Sequence, residues 1–158
     1  MKAIPVKESE VFMTELVLPN DTNQLGNLLG GRLMHWIDIA AAIAAQRHSG
    51  RVCVTASVDQ LEFHTPISLG EIVTLQASVN RAFRSSMEVG VIVTAQGLGD
   101  SLMRRANNAY LTFVAIDDSG KPVQVPATVP ENDEQKRRFD QALLRRELRL
   151  RSRQQLSE

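Results

Sequence analysis

Cysteine is nearly missing from the chain: Cys53 is the single one in 158 residues. It cannot close a disulfide within the chain. With no CxxC pair or Cys/His cluster there is nothing to hold zinc, so a reducing compartment and no metal are expected. Net charge is also missing, because eighteen Lys and Arg balance eighteen Asp and Glu. That balance removes any whole-chain electrostatic argument for DNA, RNA or an anionic membrane as partner. Long apolar runs are absent as well. The longest, Ile39 to Ala45, falls far short of the ~20 residues a membrane helix requires. Glu8 and Glu10 stand where a signal peptide would be apolar, so a cytoplasmic chain is expected, with no membrane partner.

What is present is the composition of an ordinary globule, 43% apolar and 23% charged, in a length that suits one domain. The charge is uneven along it. The segment from Lys136 onward carries +5 and residues 1–135 carry −5, which marks residues 131–158 as a basic helical tail on a domain of residues 1–130. Between Gly31 and His48 neither Pro nor Gly interrupts the chain, alanines cluster, and apolar residues occupy nearly every face of a 3.6-residue period. This predicts a long, largely buried helix that stops at Gly50.

Around that helix the period becomes two. Phe12 to Leu18 reads as a first strand, and the rows Val52/Val54/Ala56/Val58, Val73/Leu75/Ala77/Val79, Met87/Val89/Val91/Val93 and Leu111/Phe113/Ala115 each share a face. The joints, marked by Pro66, Gly70, Gly97 and Gly99, are too short for crossover helices and predict an antiparallel meander or near it. One helix apolar nearly all round, with four strands after it and one before, has a natural packing solution: the sheet curls around the helix. That is an α+β hotdog fold. It leaves a strand edge and part of the helix uncovered, so at least a homodimer is expected.

Asn23, within Asp21-Thr-Asn-Gln-Leu-Gly-Asn27, is either a turn former or a site residue. Gly30 and Gly31 sit just before the helix, where unpaired amides and the positive dipole end face whatever approaches. They either let the chain pass tightly under the sheet or form an oxyanion hole. Asp38 has Met34, Ala41, Ala42 and Ala45 as helical neighbours, and a carboxylate on such a surface is costly without partners or a task. At ~1.5 Å rise per residue, Gly31 and Asp38 stand roughly 10 Å apart. If both act on one carbonyl they must come from different subunits, which puts the site across a dimer interface.

Arg84, Ser85 and Ser86 read as a solvated hairpin loop or as a grip for phosphate or a pantetheine amide. The arginines from Arg145 to Arg153 suit a solvated or subunit-facing helix better than nucleic acid. His35, His48 and His64 lack ligand spacing, and no Gly-x-Ser-x-Gly elbow is present.

Several linked stretches, Asp21-Thr-Asn23, Gly30-Gly31-Arg-Leu-Met34, Asp38, Val54-Thr-Ala-Ser-Val58-Asp59, Phe63-His-Thr-Pro66 and Arg84-Ser-Ser-Met87-Glu88-Val89, together resemble the hotdog-fold acyl-CoA thioesterases of the cytosolic acyl-CoA hydrolase type. The likeness spans roughly residues 10 to 130. It implies hydrolysis of fatty acyl-CoA to free acid and CoA without a cofactor, in a homohexamer built as a trimer of hotdog dimers. It implies Asn23 and Asp38 as a catalytic pair from opposite subunits, and Gly31 as the carbonyl-polarising amide beside Gly30. It also implies that Arg84, Ser85 and Ser86 lie beside CoA. Leu29, where relatives carry His or an aromatic, and Trp36, where they carry an aliphatic residue, are departures that bear on acyl-chain length. Two rivals remain. A non-catalytic acyl-CoA sensor predicts binding without thiol release, and a hotdog dehydratase would want a catalytic His.

Overall fold

The structure, a computed structural model, describes residues 1–63 and 65–157. Five strands form one antiparallel sheet: β2 (Val11–Leu16), β3 (Val52–Asp59), β4 (Ile72–Ala82), β5 (Ser86–Gln96) and β6 (Arg104–Ile116), in the order β2-β4-β5-β6-β3. Two short strands, β1 (Ile4–Pro5) and β7 (Thr128–Val129), pair in parallel. Helix α1 (Gly30–Ser49) packs on one face of the large sheet, and helix α2 (Asp133–Leu156) crosses the other. This is the hotdog architecture that the change of period predicts.

The helix forms where expected and ends at Gly50, whose φ of 66° closes the last turn with its N–H on Gln46 O at 2.8 Å. Leu33, Ile37, Ala40, Ala41, Ala44 and Ala45 are buried against Val73, Leu75, Val89, Val91, Leu111 and Phe113. The small alanines let the backbone lie close to the sheet, and each large side chain fully removed from water contributes about 1.5–3 kcal/mol.

Two expectations need correction. Only β4, β5 and β6 form a meander. β3 lies at the far edge beside β6, and the chain returns to β4 on the other side of the sheet. The row Val52/Val54/Ala56/Val58 does not share a face either. A bulge between Thr55 and Ser57 inserts one residue and reverses the alternation. Val52, Val54 and Val58 stay 63%, 45% and 40% exposed on this edge strand.

His48, at the end of α1, is buried, and its Nε2–H donates to Pro126 O at 2.7 Å, while Nδ1 has no partner among the described residues. Burial holds its pKa below the ordinary value of 6.5. The folded value is the lower one, so this contribution to stability is complete above pH 6.5 and declines as the pH falls through the folded value. The thermal midpoint is therefore expected to drop on going from pH 7.5 to 5.5, and His48→Gln, which keeps a donor and cannot ionise, should flatten that slope.

Candidate active site

The start of α1 is built without a side-chain cap. Leu29 N bonds Asp21 O at 2.9 Å, and Leu29 O accepts from Arg32 N and Leu33 N at 3.1 and 3.0 Å. Buried Asp21 fixes the approach by accepting Leu18 N at 2.9 Å and pairing with Arg32 at 3.3 Å. Gly30 and Gly31 are the first two helical residues rather than the residues before the helix. Their amides lie outside its ladder, at the positive end of the dipole.

The two glycines face different surroundings. Gly30 lines a cleft of about 310 Å³ with Asn23, Leu28, Leu33, Phe63, Pro66 and Asn107. A Cβ on Gly30 would stand 3.3 Å from the Phe63 ring, so ring and helix approach each other closely at this glycine. Gly31 opens onto a shallow surface with Leu29, Arg32 and His35, and a Cβ on it would meet nothing within 4 Å among the described residues.

Asn23 fits both of its readings at once. Its Oδ1 accepts from Leu25 N at 2.9 Å and Asn27 N at 3.2 Å, building the turn, and the residue also lines the cleft. With the oxygen engaged, the group it offers a ligand is the Nδ2 donor.

The far wall of the cleft is formed by Phe63, Thr65, Pro66 and Ile67. Arg104 Nη2 donates to Pro66 O at 3.0 Å and to Glu71 Oε2 at 2.9 Å, and Glu71 also accepts Ser68 N at 2.6 Å. The Arg104 hydrogen bond holds the Glu71 carboxyl below the usual carboxylate range. Neither residue stood out in the sequence, since nothing local links positions 71 and 104. His64 lies outside the described residues.

Asp38 is not in this cleft, and it is not buried in the chain alone. It is half-buried on the side of α1 that faces β3, where Thr55 Oγ1 donates to its Oδ1 at 2.7 Å. Thr55 turns toward the helix just before the bulge, a device often found beside functional sites. It is the residue that sequence reasoning missed. Only the pairing of β3 beside the helix could have revealed it.

Arg84 and Ser85 lie in the tight β4–β5 connection, and Ser86 opens β5. Arg84 O accepts Val125 N at 2.8 Å, Ser85 O accepts Ala115 N at 3.0 Å, and Ser86 Oγ accepts from Arg146 at 3.4 Å. Val125 is next to Pro126, the partner of His48, so this connection lies at the opposite end of α1 from Gly30. One chain brings Asn23 and the helix start together and leaves Asp38 and Arg84 apart from them. Among the described residues no group of three His, Cys, Asp or Glu side chains could hold a metal ion. No helix is long and apolar enough to cross a membrane.

A helix wrapped by a sheet, with its amino end opening on a cleft and a carboxylate two turns along, defines a hotdog domain of the thioesterase class. Residues 25–101 match the Thioesterase superfamily. The chain is 46% identical over 129 residues to the uncharacterized acyl-CoA thioester hydrolase YkhA of Bacillus subtilis, covering 82% of this chain and 75% of that one. It is 43% identical over 142 residues, 90% of its length, to mouse Acyl-coenzyme A thioesterase 11, and 36% identical over 138 residues, 86% of its length, to a rat cytosolic acyl coenzyme A thioester hydrolase. It spans 24% and 36% of those two longer proteins. Among solved structures, a hexameric acyl-CoA thioesterase superposes with a TM-score of 0.93 at 38% identity, covering 96% of this chain and 97% of that one. An acyl-CoA hydrolase from Staphylococcus aureus, solved with butyryl-CoA and CoA, gives 0.90 at 41% identity, covering 96% and 92%. The chain belongs to the hotdog-fold acyl-CoA thioesterases of the cytosolic acyl-CoA hydrolase type.

Proposed function

We propose that the chain hydrolyses fatty acyl-CoA thioesters to free acid and CoA, at a site shared by two protomers. The observation that carries this reading is the Asp38–Thr55 bond on an edge that is open in one chain. In the Staphylococcus aureus hydrolase, alanine has been placed at an asparagine, an aspartate and a threonine spaced 15 and 17 residues apart. Asn23, Asp38 and Thr55 have the same spacing.

Thr55 holds one oxygen of Asp38 and leaves the other to take a proton from water. The resulting hydroxide adds to the thioester carbonyl, and the oxyanion is met by the Gly31 amide of the other protomer, assisted by Asn23 Nδ2. Collapse breaks the C–S bond and releases CoA as a thiolate, a leaving group good enough to go without strong acid assistance. Direct attack by Asp38, giving a mixed anhydride that water then opens, is the alternative course. Neither course needs a metal or an organic cofactor.

Two copies joined with antiparallel α1 helices set the Asp38 and Arg84 end of one against the Asn23 and Gly31 end of the other. In that arrangement Arg84, Ser85 and Ser86 reach the CoA portion while Gly30, in the cleft with Asn23 and Phe63, lies beside the acyl end. Ile39 and Val58, both exposed in one chain and both on the α1 side of the sheet, supply the apolar contact. A trimer of such dimers agrees with the hexameric relative, and a cytosolic setting agrees with the rat relative.

The test is thiol release across acyl-CoAs from acetyl to palmitoyl, with oligomer mass measured by sedimentation. Saturable binding with no thiol release would identify a sensor instead. Asp38→Ala and Asn23→Ala proteins are each expected to be inactive. Mixed and allowed to exchange, they should recover about a quarter of wild-type activity, because each hybrid dimer regains one of its two sites. No recovery on proven exchange would place both residues in one protomer's site. Thr55→Val keeps the shape and loses the hydroxyl, and should lower kcat about tenfold with KM little changed.

A further inference from the structure

Two charged side chains that no local pattern connects, Glu71 and Arg104, meet at one end of the sheet. Glu71 immediately precedes β4 and Arg104 opens β6, two strands separated by β5. The Arg104 guanidinium spans that gap and holds Glu71 with both terminal nitrogens, Nη1 on Oε1 and Nη2 on Oε2, the second at 2.9 Å. This is the fork geometry of a strong charge-assisted pair. Glu71 is 8% exposed, and a carboxylate at that depth is costly unless it is well partnered.

A tie between two strand ends would be complete with that pair, but the remaining bonds lead elsewhere. Arg104 Nη2 also donates to Pro66 O at 3.0 Å, and Glu71 Oε2 also accepts from Ser68 N at 2.6 Å. Pro66 and Ser68 flank Ile67, whose carbonyl accepts Leu28 N at 2.7 Å, and Leu69 N donates to Gly26 O at 2.9 Å. Between these two bonds Asn27 and Ser68 form an antiparallel bridge. Residues 26–28 therefore run against residues 67–69 as a short two-stranded strip, anchored at Pro66 and Ser68 by the Arg104–Glu71 pair.

The other strand of the strip leads to the site. Asn23 N donates to Asn27 O at 2.8 Å, and Asn23 Oδ1 accepts from Asn27 N at 3.2 Å, so the Asn23 turn closes on the residue that is bridged to Ser68. Leu28 is two residues before Gly30. Because α1 begins without a side-chain cap, the backbone bonds of Leu28 and Leu29 set where its first amides stand.

We propose that Arg104, acting through Glu71, is a positioning residue for thioester hydrolysis: it fixes residues 67–69 and, through them, the Asn23 turn and the start of α1. This rests on the hydrolase reading of the site. Lysine is no substitute, because an ammonium on a flexible stem is a point charge and cannot meet both carboxylate oxygens and Pro66 O at once. Arg84, Ser85 and Ser86 lie at the other end of α1, so the grip on CoA is independent of Arg104.

Thiol release, inhibition by free CoA and amide hydrogen exchange of the intact oligomer test this in wild type, in Arg104→Lys and in the double variant Glu71→Met with Arg104→Met. Since a misplacement of about 1 Å can cost on the order of 10²-fold, a slackened turn should lower kcat about tenfold in both variants, with the inhibition constant for CoA unchanged. Exchange at the Leu28 and Leu69 amides should quicken about tenfold while the amides of β5 keep their protection. The double variant separates positioning from stability. It strands no charge, and Pro66 and Ser68 are exposed, so water satisfies the groups it releases and Tm should stay close to wild type. Wild-type kcat in Arg104→Lys, or recovery of kcat together with Tm in the double variant, would overturn the proposal and leave a merely stabilising ion pair. Weaker inhibition by CoA in Arg104→Lys would overturn it too, by placing Arg104 on the CoA portion. Absence of thiol release from wild type, with faster exchange at Leu28 and Leu69 in Arg104→Lys, would sink the hydrolase reading and leave the anchoring of the turn standing. Unchanged exchange at those two amides would sink the anchoring alone.

Discussion

Asp38→Ala is expected to lower kcat for acyl-CoA hydrolysis by about 10²–10⁴-fold, the range for a positioned general base, with KM and oligomer mass close to wild type. Asp38 is half-buried and, among the described residues, makes one side-chain hydrogen bond, from Thr55 at 2.7 Å. Its removal leaves an exposed hydroxyl that water can satisfy, and the fold should tolerate it. Asp38→Asn is the sharper variant. Its amide oxygen still accepts the Thr55 hydrogen bond, so the geometry survives and only the capacity to take a proton is lost. If Asn and Ala fail equally, the carboxylate acts chemically. If Asn restores most of the rate, Asp38 merely orients Thr55 and another base must be sought. Single-turnover thiol release distinguishes this from slow product release.

The sequence makes legible what depends on local spacing. The 3.6-residue period and Gly50 bound α1 to within a residue or two, and the rows through β4, β5 and β6 are the buried faces observed. β3 resists the same reading because one inserted residue at Ala56 reverses which side chains face the helix. Composition has no counterpart of that event. Its place at the edge beside β6 is a long-range pairing, equally silent in local pattern.

The candidate site divides in the same way. The turn around Asn23 and the helix start at Gly30 are local and readable. Thr55 acquires meaning only by lying across from a residue 17 positions away, and the Arg104–Glu71 pair that holds the cleft wall joins strands with no shared motif. Asp38 stood out as a carboxylate among alanines and isoleucines, a surface that looks buried in sequence and is half-open in one chain. The exposed Ile39 next to it gives the reason: the apolar pattern was written for a neighbour that a single chain does not contain.

Arg145→Ala is expected to cost about 3–5 kcal/mol of stability, because breaking a buried pair from one side strands the other charge. Glu88 is 1% exposed and sits on β5, the central strand of the sheet, too deep for water to replace the guanidinium. Arg145 also lies 3.7 Å from the centre of the Tyr110 ring, so the substitution removes a stacking contact along with the ion pair. For a chain of this size the loss corresponds to a fall of roughly 10 °C in Tm, measured at fixed protomer concentration since assembly adds to apparent stability. Replacing both partners, as Glu88→Leu with Arg145→Met, should recover much of the loss by removing the stranded charge together with its counter-ion. If the double variant were as unstable as Arg145→Ala alone, the contribution would lie in the grip of α2 on the sheet. Arg149, bonded to Asp59 at 2.9 Å, would then be the next contact to remove, and its loss should be additive with that of Arg145.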